Sequence, residues 1–250
     1  MEVPRAASVG EDRATIEYFN SHLPEYSTER LDHAADFVRR HAAPDSTLID
    51  LGCGVGNTLA HVKETAGVSD VVGVDVSARC LELTQERLVC ETYQGSLFDR
   101  EFVRSIDRSF DFAIIAAVLH HMIGRNRTES RRYAEIALDH ASWLLEPGGH
   151  LIVVEPIFYP SLAMDAVFWT KKLMSRVSGR RVGIGGYWNN IGAPVVSYYT
   201  NEQLEAMVTS ADGFEVVERH VDPEPLGPVL DRVLRKTNTT VVARREPTLD

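Results

Sequence analysis

Short apolar runs and longer amphipathic stretches alternate along this chain. Leu48-Ile49-Asp50-Leu51, Val71-Val72-Gly73-Val74, Phe110 to Ala117 and His150 to Val154 read as buried strands, and Val89 to Gln94 as a less apolar one. The stretches between them have helical spacing. Ser27 or Thr28 caps a helix whose Leu31, Ala34, Ala35 and Val38 share a face, and Thr58 to Val62 opens the next. Ser77 caps one carrying Leu81, Leu83 and Leu88, and Glu129 to Leu145 forms another. Thr200-Asn201-Glu202-Gln203 has the capping-box pattern that starts a further helix. Phe214 to Glu218 and Thr239 to Ala243 supply two last strands, with a short helix near Val229 to Arg235 between them. Strand and helix in alternation predict an α/β fold.

The first two strands end in candidate chemistry. Gly52-Cys53-Gly54-Val55-Gly56 puts glycine at every second position of a strand-to-helix turn, where a side chain would hold the backbone off a ligand and positive φ is often needed. Asp75 closes the second strand roughly 20 residues further on, the spacing at which a neighbouring parallel strand delivers a carboxylate to a ribose diol. Asp50 stands just before the glycines. With it, the stretch Asp50 to Gly56 resembles the first motif of class I S-adenosylmethionine (SAM) dependent methyltransferases. It fits less well the G-x-G-x-x-G loop of nicotinamide enzymes, whose helix N-terminus receives a pyrophosphate. Phe110-Asp111 ahead of a strand that leads into Leu119-His120-His121, and Leu145-Glu146-Pro147-Gly148-Gly149 ahead of another, resemble later features of the small-molecule branch, in the same order.

The resemblance implies a Rossmann-like three-layer αβα sandwich built on a seven-stranded, mostly parallel sheet with an antiparallel last strand. It implies SAM as cofactor and S-adenosylhomocysteine (SAH) as its product, held by Asp50, Gly52, Cys53, Gly54, Gly56, Asp75, Val76, Ser96, Leu97, Ala116 and Ala117. Ser96 departs from the pattern, standing where the family commonly has an aspartate after a glycine to hold adenine. His120 and His121 fall outside the carboxyl ends of the strands, where a substrate would meet the cofactor, and with Glu155 they are the candidate bases. The alternative is that either histidine packs locally and only shapes the pocket, and that Glu155 orients its neighbours or binds a polar substrate group.

From Pro156 to Tyr199 the chain makes a long excursion rich in aromatic residues. A helix over Ser161 to Val177 and a loop with Gly183, Gly185 and Gly186 predict an inserted helical cap over residues 157–199. Tyr159, Trp169, Tyr187 and Trp188 would contact substrate there; a dimer interface is the alternative, since aromatics suit both. Residues 1–46 read as N-terminal helices, which the resemblance implies close over the cofactor, with Tyr18, Phe19 and Tyr26 as candidate lid residues and Tyr18 as a substrate contact; plain core packing of these aromatics is the alternative. Residues 1–250 then form a single domain with one insertion.

Composition narrows the function classes. With 250 residues, 44% of them apolar, the chain can bury a full core. A formal charge of -10 counts against a general nucleic-acid binder. Cys53, Cys80 and Cys90 show neither paired spacing nor a metal pattern, which predicts a reduced, cytoplasmic setting and no metal site. No apolar run is long enough to cross a bilayer. Arg125, Arg127, Arg131, Arg132, Arg180 and Arg181 either meet an anionic substrate or lie on solvated faces. The expected activity is methyl transfer to a small-molecule acceptor, first of all O-methylation of a secondary metabolite or sugar-like compound, with a homodimer as a candidate assembly. An RNA methyltransferase and a non-catalytic SAM-binding regulatory or scaffold subunit are the alternatives.

Overall fold

The computed structural model describes residues 28–177, 195–211 and 213–246. Seven strands, β1 (Thr47–Leu51), β2 (Asp70–Asp75), β3 (Glu91–Gln94), β4 (Phe110–Ala116), β5 (Leu145–Tyr159), β6 (Phe214–Pro223) and β7 (Arg235–Arg245), make one sheet. Its order is β3-β2-β1-β4-β5-β7-β6. The first five strands are parallel, and β7 runs antiparallel to both of its neighbours. The helices are α1 (Asp32–His41), α2 (Asn57–Ala66), α3 (Ala78–Arg87), α4 (Arg100–Ser105), α5 (Arg127–Ser142), α6 (Ser161–Val177) and α7 (Asn201–Ser210).

The strand alternation divides the buried residues between two faces. Ile49 and Leu51 of β1, Ala113 and Ile115 of β4, Leu151 and Val153 of β5 and Val241 of β7 pack with Val103, Ala134, Leu138, Leu204 and Met207 from α4, α5 and α7. The intervening residues Leu48, Ile114, Ile152 and Val242 pack the other way, against Ala34, Phe37, Leu59, Val62 and Leu81 from α1, α2 and α3. Because successive side chains of a strand point to opposite faces, one apolar run feeds both layers, which is why these strands read as continuously hydrophobic.

Most helix starts follow from their caps. The Ser77 and Asp99 side chains accept from the first-turn N–H groups of α3 and α4, and Thr200 with Gln203 forms the expected capping box of α7. Thr28 does not cap: its backbone is already helical (φ -83, ψ -9), and a 3-10 turn over Glu29–Leu31 leads into α1. Asn126 caps α5, which runs over Arg127–Ser142 where a helix over Glu129 to Leu145 was expected. The glycine turn expected ahead of His150 lies inside β5. Gly148 adopts φ +86, a Cβ on Gly149 would sit 3.0 Å from two carbonyl oxygens, and the β4–β5 register shifts there, so the glycines pass a bulge without breaking the strand. The helix expected near Val229 shrinks to a 3-10 turn at Leu230–Arg232, because β7 already begins at Arg235.

The sheet order reverses between β1 and β4, which lead away on opposite sides, and in such sheets ligands bind outside the carboxyl ends at this switch point. The glycine turn leaves β1 there and Leu119-His120-His121 leaves β4 there.

Candidate active site

The glycine turn is fixed by backbone hydrogen bonds to the next strand. Gly52 and Cys53 both donate N–H to the Val74 carbonyl, at 2.7 and 2.9 Å, and Gly54 donates to Asp75 Oδ2 at 2.9 Å. The other Asp75 oxygen accepts from the Ser77 N–H at 2.8 Å, so one carboxylate ties the turn to the start of α3. Burial raises the Asp75 pKa, and these backbone bonds oppose the rise. Thr84 donates its hydroxyl to the Gly54 carbonyl at 2.9 Å and closes the turn from α3. Gly52 has φ +93, and a Cβ on it would lie 2.4 Å from Val118 Cγ2, so only glycine lets the turn touch the segment after β4. Cys53 packs inward, and its thiol, which burial pushes up, faces Gly73 of β2.

Asp50 carries the sharpest signal of the turn. It is fully buried, and neither carboxylate oxygen has a hydrogen-bond partner among the described residues. Burial first, and the neighbouring Asp75 charge second, push its pKa up to about 8, against the pull of Arg30. A buried acid with no donor is costly unless a ligand brings one. Beside it, a Cβ on Gly54 would meet nothing within 4 Å, which leaves open space over the turn. The donor set and this space suit a ligand that combines an ammonium group with a ribose. Val76 is exposed just past Asp75, and Ser96 lies at the end of the adjacent β3, with its hydroxyl accepting from the Phe98 N–H. The Leu97 side chain is in the core, and its carbonyl bonds His140 Nδ1 at 2.6 Å, so at that position only the edge of the backbone remains for a ligand.

At the end of β4 the backbone turns sharply. Ala117, which directly follows Ala116, has φ +58, the one positive value for a non-glycine among the described residues. Such strain persists where surroundings over-determine it, often at sites of function. Its N–H is bonded to the Val154 carbonyl at 2.7 Å. Glu155 completes the clamp from β5. Its Oε1 accepts from the N–H groups of Val118 and Leu119 at 2.8 and 2.7 Å, and its Oε2 lies 2.6 Å from His120 Nδ1. Glu155 is fully buried and both of its oxygens are engaged, so it orients the turn and the imidazole. His120 stacks on Tyr198 at 5.2 Å and sits 4.1 Å from the His121 ring. The His120 carbonyl accepts from the Ser197 N–H at 2.8 Å, which fastens the returning chain over the turn. Burial, with the neighbouring His120 and Lys171, drives the His121 pKa well down, so this ring is neutral.

Tyr159 faces α7: its hydroxyl accepts from the Asn201 N–H at 3.0 Å and donates to Glu202. Trp169 is half exposed on the outer stripe of α6 with Leu162 and Leu173. Tyr18, Tyr187 and Trp188, with Phe19, Tyr26, Arg180 and Arg181, lie outside the described residues. Arg125, just ahead of α5, pairs with Glu129, Arg131 pairs with Glu135 along α5, and Arg127 pairs with Asp165 of α6 at 3.1 Å. Two residues against the histidine turn were not marked by spacing. Tyr198 is one of many aromatics in its stretch, and Lys171 sits where an amphipathic helix would place an apolar residue. Among the described residues no group of His, Cys, Asp or Glu is arranged to hold a metal, and no helix is long and apolar enough to cross a membrane.

Comparison with known proteins finds methyltransferases among the relatives and the structural neighbours of this chain. Over 161 residues the chain is 32% identical to a dTDP-3-amino-3,4,6-trideoxy-alpha-D-glucopyranose N,N-dimethyltransferase of Streptomyces venezuelae, covering 63% of this chain and 61% of that one. Over 113 residues it is 29% identical to the ribosomal RNA small subunit methyltransferase C of Haemophilus influenzae, covering 45% and 33% respectively. The chain therefore spans less than two thirds of the length of these curated relatives. The crystal structure of magnesium protoporphyrin IX methyltransferase from Synechocystis PCC 6803, with bound SAM, superposes with a TM-score of 0.59 at 12% identity, over 94% of this chain and 97% of that one; the likeness is one of fold. A family model described as a methyltransferase domain matches residues 19–219. That match takes in both the glycine turn and the histidine turn, and the chain belongs to the methyltransferase-domain family.

Proposed function

We propose that the protein transfers a methyl group from SAM to a small-molecule acceptor, with an oxygen as the first candidate atom. The observation that carries this reading is the direct contact of the two turns. Gly52 of the cofactor turn packs on Val118, and two residues later His120 is held by Glu155, so a cofactor over the glycines and an acceptor at the imidazole would be neighbours. Asp50 would take the ammonium end of the cofactor, Asp75 the ribose, and the segment Ser96-Leu97 the adenine edge. SAM supplies a methyl already activated on a sulfonium, so the chain needs to align the acceptor, exclude water and accept a proton where the acceptor carries one.

His120 suits the last task. With Nδ1 directed at the Glu155 carboxylate, its Nε2 is left as the acceptor nitrogen, the arrangement in which a carboxylate fixes the tautomer of a base. Glu155 is a positioning residue in this scheme, and neutral His121 lines the pocket. The N–H bonds from Val118 and Leu119 to Glu155 hold the turn at the angle that aims His120.

A small acceptor suits the enclosure of the turn by α6 and residues 195–199, and a formal charge of -10 disfavours the phosphate contacts that RNA binding requires. The test is incubation of the purified protein with methyl-labelled SAM and an extract of its host, the label being separated into small-molecule, RNA and protein fractions. Small-molecule label is expected. Label confined to RNA would replace the acceptor class, and binding of SAM without label in any fraction would favour a non-catalytic subunit.

A further inference from the structure

Arg127 occupies an unfavourable place for a cation. It is the first residue of α5, where the helix dipole opposes positive charge, and its side chain is only 17% exposed. Its Nη1 is buried with no partner among the described residues. A guanidinium withdrawn from water at a helix N-terminus costs free energy on both counts, so its presence calls for a reason in what the side chain reaches.

It reaches two segments that are remote in sequence. Nε pairs with Asp165 Oδ1 of α6 at 3.1 Å, and Nη2 donates to the Tyr198 carbonyl at 2.5 Å. Docking of α6 alone has another fastening, since Lys172 Nζ donates to the Gly124 carbonyl at 2.5 Å and lies 5.3 Å from the centre of the Phe168 ring. What the planar guanidinium adds is a fixed position of the Tyr198 carbonyl relative to α6. One residue earlier, the Ser197 N–H bonds the His120 carbonyl at 2.8 Å. Anchored by these two bonds, the Tyr198 ring lies against Phe158, centre to centre 4.4 Å, and stacks on His120 at 5.2 Å with the planes 24° apart.

The stacked ring supplies a restraint that Glu155 cannot. The 2.6 Å contact of His120 Nδ1 with Glu155 Oε2 fixes one edge of the imidazole, and a single hydrogen bond leaves the ring plane free to rock about it. A tyrosine face against the ring limits that rocking. From this relay we infer that Arg127 is a positioning residue for methyl transfer: by holding the Tyr198 carbonyl it keeps the tyrosine ring on His120, and so sets the plane in which Nε2 meets the acceptor. The inference rests on His120 being the proton acceptor of the proposed reaction. It also explains the residue type. Methionine at this position would pack its stem but reach neither oxygen, and lysine would reach one of them at a time.

The test uses the full-length protein with SAH bound and its histidine and tyrosine rings isotopically labelled for magnetic resonance. Nuclear Overhauser contacts between the Tyr198 and His120 rings are expected in the wild type. Arg127→Met should abolish them while the His120–His121 contacts and the SAH affinity persist, and Arg127→Lys should weaken them without abolishing them. Asp165→Ala, at a half-exposed position, removes the partner that orients the guanidinium and should weaken them too; it carries the test if Arg127→Met folds poorly. Transfer of labelled methyl into the small-molecule fraction of a host extract should fall by roughly tenfold to a hundredfold in Arg127→Met. Absence of the ring contacts in the wild type, their survival in Arg127→Met, or a transfer rate that this variant leaves unchanged would each overturn the inference. His120→Ala in the same assay keeps the two readings apart: an unchanged rate there removes the histidine from proton transfer, whereas the ring contacts decide whether Arg127 sets the imidazole.

Discussion

Replacing Asp50 by asparagine should make the empty protein more stable while weakening its hold on the cofactor, and both effects should depend on pH. The carboxyl is fully buried without a donor among the described residues, and its pKa stands at about 8 against an ordinary value of 3.8. Below pH 3.8 folded and unfolded chains both hold the proton, and the site carries no ionic penalty. Between the two values only the folded chain keeps the proton, so the unfolded state gains with every unit of pH. Above about 8 the folded carboxyl ionises as well and the loss levels off. At about 1.4 kcal/mol per unit, the advantage of Asp50→Asn should grow by about 4 kcal/mol between pH 5 and pH 8. For a chain of this size that is a gain of roughly 10 °C in the melting temperature difference. Cofactor binding should move in the opposite sense. An ammonium group favours the ionised carboxylate, so SAH should bind the wild type up to about tenfold more tightly per pH unit between pH 6 and 8, with release of a proton. Asp50→Asn should bind more weakly and lose most of that slope. Scanning calorimetry and isothermal titration at several pH values, in buffers of different ionisation enthalpy, read all of these quantities. A stability difference that is the same at pH 5 and pH 8, or SAH binding untouched by the substitution, would refute the reasoning.

Other substitutions address the remaining parts of the site. Gly52→Ala must accommodate φ +93 and a methyl 2.4 Å from Val118, so SAH affinity should fall by at least tenfold and the melting temperature should drop. Glu155→Gln removes the charge that holds His120 and weakens the acceptor for two N–H groups; methyl transfer should fall by about a hundredfold while SAH binding, measured separately, changes little. His120→Ala should lower the maximal rate by a similar factor without moving SAH affinity, and an unchanged rate would remove the histidine from proton transfer. Ala117→Gly relieves the strain of φ +58 and should leave stability equal or raise it by up to about 1 kcal/mol, as read by urea denaturation.

The part of the fold that the sequence made legible is the part governed by local rules. Two-sided burial leaves Leu48, Ile49, Leu51 and Ile114, Ile115 contiguous, and the caps Ser77 and Thr200 announce their helices because each side chain meets its own first turn. The glycine turn was legible for the same reason, since Gly52 and Gly54 need conformations that other residues avoid. Long-range pairings were not. Glu155 and His120 are 35 residues apart, and nothing in their spacing foretold that the carboxylate would clamp the turn. Tyr198 reaches His120 only because the returning chain bonds to the His120 carbonyl. The helical period located α6, but periodicity alone assigns Leu162 and Trp169 to the inside; the anchoring of Lys172 on Gly124 decides otherwise.

In the proposed scheme the packing of Gly52 on Val118 would make the two halves of the site thermodynamically interdependent. Any shift of the glycine turn when its ligand arrives is transmitted through a contact with no slack, so the turn that aims His120 responds to occupancy next door. Reciprocity then applies: whatever factor the first ligand adds to the affinity of the second, the second returns to the first. Coupled binding of the two ligands needs no moving lid under these conditions. A residue bulkier than valine at position 118 would impose its own order by holding the glycine turn away, and variants there would change the two affinities together.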